Sequence, residues 1–285
     1  MHRPRIARRA PRPWLLATLL VPATLAALRS PQDSRPATQA ASAPSAARPF
    51  VQDFPGLAHT LELVPVPGDQ KRGLAPFWIS RTEIPWELYD AFVYPPEAGD
   101  PGVVDAISRP SKPYVPPDRG YGHAGYAAIS VTHRNAQAFC RWLQAKTGRP
   151  YRLPSEDEWE HAARGGTTGA YAFGDDPRRL GEFAWFADNS GDAPHPIGKK
   201  APNGYGLLDV HGNVAEWVNG RDGKPVLKGG AFGDPAARLR LDARSEYDPA
   251  WQETDPQVPK SKWWLSDAPF AGLRVVCDHP APSRK

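Results

Sequence analysis

Sulfur is scarce in this chain: two cysteines and one methionine among 285 residues. So few thiols exclude a disulfide-dense scaffold and a multi-cysteine zinc module. Long apolar runs are missing too. The longest, residues 14–28, is interrupted by Pro22 and falls short of the roughly 18 apolar residues of a spanning helix. No phosphate-cradling glycine loop and no G-x-S-x-G nucleophile elbow occurs, so nucleotide hydrolysis and Ser/His/Asp catalysis have no support. Past residue 167 no segment has the period of a long helix.

What is abundant is proline, glycine and tryptophan: 34, 25 and 10 residues. That mixture predicts a loop-rich fold with aromatic packing rather than a helical bundle or regular barrel. The length is ample for a full core. The net charge of +4 is misleading, because residues 1–49 hold eight arginines against one aspartate, a local +7, and leave −3 for the remainder. The basic balance belongs to the N-terminus, so no nucleic-acid-binding face is expected.

An arginine-rich, acid-free opening followed by the apolar run predicts a secretory signal over residues 1–28, or an uncleaved N-terminal anchor, and hence an exported protein. No membrane association beyond that signal or anchor is expected. Residues 29–49, rich in Pro, Ala, Ser and Gln, read as a disordered linker. A folded domain is expected over 50–279, with a polar tail at 280–285. Within it, 61–66 and 77–80 read as strands, and Pro85 opens a helix with Leu88, Tyr89, Phe92 and Val93 on its apolar stripe. Residues 94–128 have no period, and so long an irregular stretch is expected to serve a site. Thr132 caps a second helix that Gly148 stops. Ser155 and Glu158 make a capping box for a third, with Trp159, Ala162 and Ala163 inward and Gly165 at its end. Residues 273–277 read as a terminal strand.

The stretch GYGLLDVHGNVAEWV, 204–218, is too polar for a plain core strand and too apolar for a free loop. Its oxygen-rich run through Asn213 and Glu216 suits either a hard cation or hydrogen bonds to buried backbone.

Four stretches in order carry a family likeness: YRLPSEDEWEHAARGG at 151–166, FADNSGDAPHPIGKKAPNGYGLLDVHGNVAEWV at 186–218, LKGGAF at 227–232 and AGLRVV at 271–276. Together they resemble the sulfatase-modifying-factor family, whose best-known members are formylglycine-generating enzymes. The resemblance implies an α+β domain of few helices and short strands, related to the C-type-lectin-like fold. Enzymes of that family oxidise a sulfatase cysteine to formylglycine, using oxygen and a copper ion held by two cysteines. Here the corresponding positions are Asp234 and Leu239, and the serine that handles oxygen is Ala231. Copper(I) requires soft thiolates, which neither side chain supplies, so copper chemistry is not expected.

Further expectations follow from the resemblance. It implies a disulfide between Cys140 and Cys277, the alternative being two buried thiols. It implies calcium at Asn213, Val214 (by its carbonyl) and Glu216. Related sulfoxide synthases use an iron-binding histidine triad, but the eight histidines here form no His-x-x-x-His-x-Glu run, and iron is not expected. Arg238 and Arg240, with Tyr121, His123, Trp263 and Trp264, are candidates to line a polar, aromatic pocket for a protein, peptide or glycan; a solvated charged strand is the alternative. The function expected is an exported binding or structural module, and the rival is an enzyme of different chemistry in the same pocket, with Asp234 as acid/base or hard-metal ligand.

Overall fold

A computed structural model describes residues 48–94, 116–253 and 266–278, all within the unit Ala46–Lys285. The expected signal, most of the linker, Trp263, Trp264 and the tail lie outside the described residues.

Among the described residues, nine short strands and four α-helices form a mixed α+β architecture. Strands β1 (Phe50–Asp53), β2 (Thr60–Val66), β3 (Phe77–Ser80), β4 (Tyr151–Arg152) and β9 (Val276–Cys277) make a sheet in the order β1-β2-β3-β9-β4. Every pairing in it is antiparallel. Strands β5 (Ala215–Asn219), β6 (Pro225–Lys228), β7 (Ser245–Glu246) and β8 (Ala271–Gly272) form the second, in the order β7-β6-β5-β8, with β8 parallel to β5.

Strand alternation explains why the first sheet is buried on both faces. Leu61, Leu63, Trp78 and Cys277 turn to a cluster that includes Leu88 and Tyr89 of helix α1 (Trp86–Val93) and Phe139 and Leu143 of helix α2 (His133–Thr147). Val64, Val66, Phe77, Ile79 and Val276 turn the other way, to Trp159, Ala162 and Ala163 of helix α3 (Glu156–Arg164).

Local chemistry sets the helix ends as expected. Thr132 Oγ1 accepts from Asn135 N–H at 3.0 Å, and Gly148 closes α2 in the left-handed region. Ser155 and Glu158 exchange both capping-box bonds, with three acids in the first turn of α3 to suit the helix dipole. Helix α4 (Leu180–Phe183) is a single turn. Among the described residues no helix is long and apolar enough to cross a membrane.

Two expectations about strands are corrected. The stretch read as too polar for a core strand contains one, β5, buried over its first four residues. Its polar groups are satisfied inside the protein, as described below. The terminal strand is shorter than 273–277. Val275 N–H donates to the Ser80 hydroxyl rather than to a neighbouring carbonyl, and Arg274 turns into the interior, so the ladder resumes only at Val276.

The disulfide that the resemblance implies is not formed in this structure. Cys140 and Cys277 are buried in the same apolar cluster but are not bridged. Burial pushes the Cys140 thiol up to about 12, so it is held as an inert, protonated thiol.

Candidate functional site

The site is built on a buried polar anchor that the 204–218 stretch shares with the last strand. Glu216 and Arg274 are each about 1 % exposed. Arg274 Nη2 lies 2.8 Å from Glu216 Oε1, and its Nε 3.0 Å from Oε2. The same guanidinium donates to the carbonyls of Ser80 and Leu208, both at 2.7 Å. Trp159 Nε1–H adds a bond to Glu216 Oε2 at 2.7 Å. Both charges are therefore paired and hydrogen-bonded, which is the condition for burying an ion pair at all.

Beside it stands Glu83, a residue that sequence reading passed over. Its carboxylate accepts from Asn213 Nδ2 at 2.8 Å and from Val214 N–H at 2.9 Å, bridging 130 residues of sequence. Burial raises its carboxyl well above the ordinary range, and nearby Asp209 and Glu216 add to the effect.

Asn213 sits in the left-handed region at φ 51° and distributes four bonds. Its Oδ1 accepts from His195 N–H, its carbonyl from Phe232 N–H, and its own N–H donates to Trp185 O. Gly212, also at positive φ, passes so close to the Trp185 carbonyl that a Cβ would collide with it.

These bonds test the calcium expectation. Both Glu216 oxygens accept from Arg274, Trp159 adds to one, and a guanidinium stands where a cation would have to sit. Asn213 Oδ1 and its carbonyl already accept backbone N–H groups. With these bonds in place, the oxygens of Glu216 and Asn213 do not fit a calcium ligand set.

Through Phe232, the anchor positions the segment 231–240. Asp234 Oδ2 accepts from Ala231 N–H at 2.9 Å, and Asp234 N–H returns to Ala231 O at 2.9 Å, closing a turn. Residues Ala236–Leu239 form a 3₁₀ turn rather than the charged strand considered as an alternative. Leu239 is fully buried against Tyr171, Leu180, Ala184 and Phe186. Gly230 makes room for it, since a Cβ there would meet Leu239 Cδ1 at 2.8 Å.

His211 locks this turn to its surroundings. Ala172 N–H donates to Nε2 at 3.0 Å, so the proton resides on Nδ1, which donates to the Leu239 carbonyl at 2.8 Å. Burial lowers its pKa to about 4.

The segment thus presents one carboxylate and two guanidiniums, and neither thiol nor hydroxyl. Arg238 donates to Ser245 Oγ at 2.7 Å, and Arg240 pairs with Asp242 at 3.0 Å on the surface. Tyr121 packs edge-on against Phe232 at 5.6 Å. His123 lies on Trp86, tied to Asp90 of α1. Of the expected pocket residues, Tyr121 is therefore joined to the segment, Arg238 and Arg240 are occupied by neighbours, and Trp263 and Trp264 lie outside the described residues. The sequence did hold a signal for the anchor: a lone arginine inside the apolar run 271–276 demands a buried partner.

Comparison with known proteins bears on the family and the fold. A profile of the sulfatase-modifying factor enzyme 1-like domain matches residues 56–255. The formylglycine-generating enzyme of Mycobacterium tuberculosis is 41 % identical over 106 residues, 33 % of each chain. The inactive C-alpha-formylglycine-generating enzyme 2 of Bos taurus is 38 % identical over 104 residues, 33 % of this chain and 32 % of its own. The chain thus spans about a third of the length of these curated relatives. Treponema denticola variable protein 1 shares the fold, with a TM-score of 0.58 at 20 % identity, covering 81 % of this chain and 99 % of its own. On the match across most of the domain, this chain belongs to the sulfatase-modifying factor enzyme 1-like domain family.

Proposed function

We propose that this domain has kept the family scaffold and exchanged copper oxidation for recognition. In this reading it is an exported binding or structural module, and its ligand is a protein, peptide or glycan held at the face around residues 231–240 and Tyr121. One observation carries the reading. The two positions that the resemblance assigns to copper thiolates are a turn-closing Asp234 and a Leu239 sealed in an apolar cluster. A hard, hydrogen-bonded carboxylate and a hydrocarbon cannot hold copper(I). The likeness to a relative named inactive supports the same conclusion. Export is supported by the arginine-rich, then apolar, N-terminus. The test is incubation of the full chain with a sulfatase-type cysteine peptide, copper and oxygen. No aldehyde is expected by mass spectrometry, and aldehyde formation overturns the reading.

The rival reading, different chemistry at Asp234, is favoured by that side chain's partial exposure of 32 %. Metal analysis of the purified protein separates the two. A stoichiometric redox metal supports the enzyme, and its lack supports the module.

A further inference from the structure

Loop 116–126 is half-exposed, and its one carboxylate, Asp118, and its histidine, His123, are not used by the recognition reading above. It is tied to the start of α1 by Gly125 N–H, which donates to Glu87 Oε1 at 2.7 Å, and by Trp86 N–H, which donates to Tyr126 O at 3.0 Å. Between these ties the His123 ring stacks on Trp86, with centroids 5.0 Å apart and planes at 14°. Its two nitrogens face two carboxylates: Nε2 lies 2.8 Å from Asp90 Oδ2, and Nδ1 lies 3.3 Å from Asp118 Oδ2. The charged groups around the ring are thus Asp90 and Glu87 from α1 and Asp118 from the loop itself. Tyr94, at the end of α1, couples to Asp90. Arg119 turns away, to Ser130 Oγ and the Ser266 carbonyl.

A neutral imidazole carries one N–H. Donating it to Asp90 leaves the Nδ1 lone pair facing the Asp118 oxygen, and donating it towards Asp118 leaves the Nε2 lone pair facing Asp90. Only the imidazolium is matched on both sides, and as a cation it also gains from the Trp86 face. We propose that His123 is a protonation-dependent latch, closing loop 116–126 onto α1 as the imidazolium and loosening it as the neutral ring. Because Tyr121 in the same loop packs on Phe232, the latch makes the outline of the 231–240 face depend on pH. The latch does not depend on what that face binds.

Hydrogen exchange on the full chain, corrected for intrinsic rates, tests it at about pH 5 and about pH 8, which bracket histidine titration. Protection of 116–126 should fall about threefold to fivefold at the higher pH, the worth of a partly exposed ion pair, while α2 stays unchanged. His123→Gln should abolish that response, and Asp118→Asn should reduce it. A wild-type loop indifferent to pH, a response shared equally by α2, or a response surviving in His123→Gln overturns the latch. Should His123→Gln fail to fold, an undiminished response in Asp118→Asn overturns it as well.

Discussion

The buried anchor and the segment it supports are built in opposite ways. Around Glu216 and Arg274 each charge has its partner, and the polar groups on three separated parts of the chain interlock. In residues 231–239, joined to the anchor through the Phe232 N–H bond to the Asn213 carbonyl, the side chains serve their own surroundings: Asp234 closes its own turn and Leu239 joins a core. The anchor cannot drift, because losing one partner strands a buried charge. The segment can, because its exposed side chains are not what holds the anchor together.

The contrast is broken most forcefully at Arg274. Arg274→Leu leaves the Glu216 carboxylate buried with Trp159 as its remaining side-chain donor and should cost about 3–5 kcal/mol in urea unfolding. A loss below about 1 kcal/mol would show that the anchor is dispensable.

His211 joins the two regions and should make stability depend on pH. Its folded pKa of about 4 lies below the ordinary histidine value, so the unfolded chain takes up a proton first as pH falls. The contribution is complete above about pH 6.5 and is lost progressively towards pH 4, by up to a few kcal/mol. Glu83 and Asp209, whose carboxyls burial pushes up, act with the opposite sign, stabilising at low pH and losing that contribution as pH rises through their folded values. The difference between wild type and His211→Gln isolates the histidine, and a difference that stays constant between pH 7 and pH 4 would contradict the assignment.

Asp234 should matter least. Asp234→Ala removes one acceptor for a turn N–H at a partly exposed position, and about 1 kcal/mol or less is expected in thermal unfolding. A loss approaching that of Arg274→Leu would mean that the segment is as constrained as the anchor.

What could be read from the sequence follows the range of the interactions. The caps of α2 and α3 are local, so Thr132, Gly148, Ser155 and Glu158 could be identified directly. The anchor was only half legible. Glu216 stood out, but Arg274 was passed over inside its apolar run, and nothing local linked either to Glu83 or Ser80. The shortened last strand had the same cause, since a serine hydroxyl almost two hundred residues away takes the place of a ladder carbonyl. Polarity suggested that 204–218 was not a core strand, because burial of β5 depends on partners supplied from elsewhere. The oxygens of the calcium expectation were likewise visible in the sequence, but the guanidinium that pairs with Glu216 was not. At residues 231–239 the substitutions themselves were readable, and the structure adds where the new side chains go.

The central claim, that the scaffold persists without its copper site, is tested most directly by anaerobic copper(I) titration of the wild-type chain against a competing chelator. With Asp234 and Leu239 at the thiolate positions and the Cys140 thiol buried and protonated, no stoichiometric thiolate-bound copper is predicted. One tightly held copper per chain, with thiolate-to-copper absorption, would contradict the account.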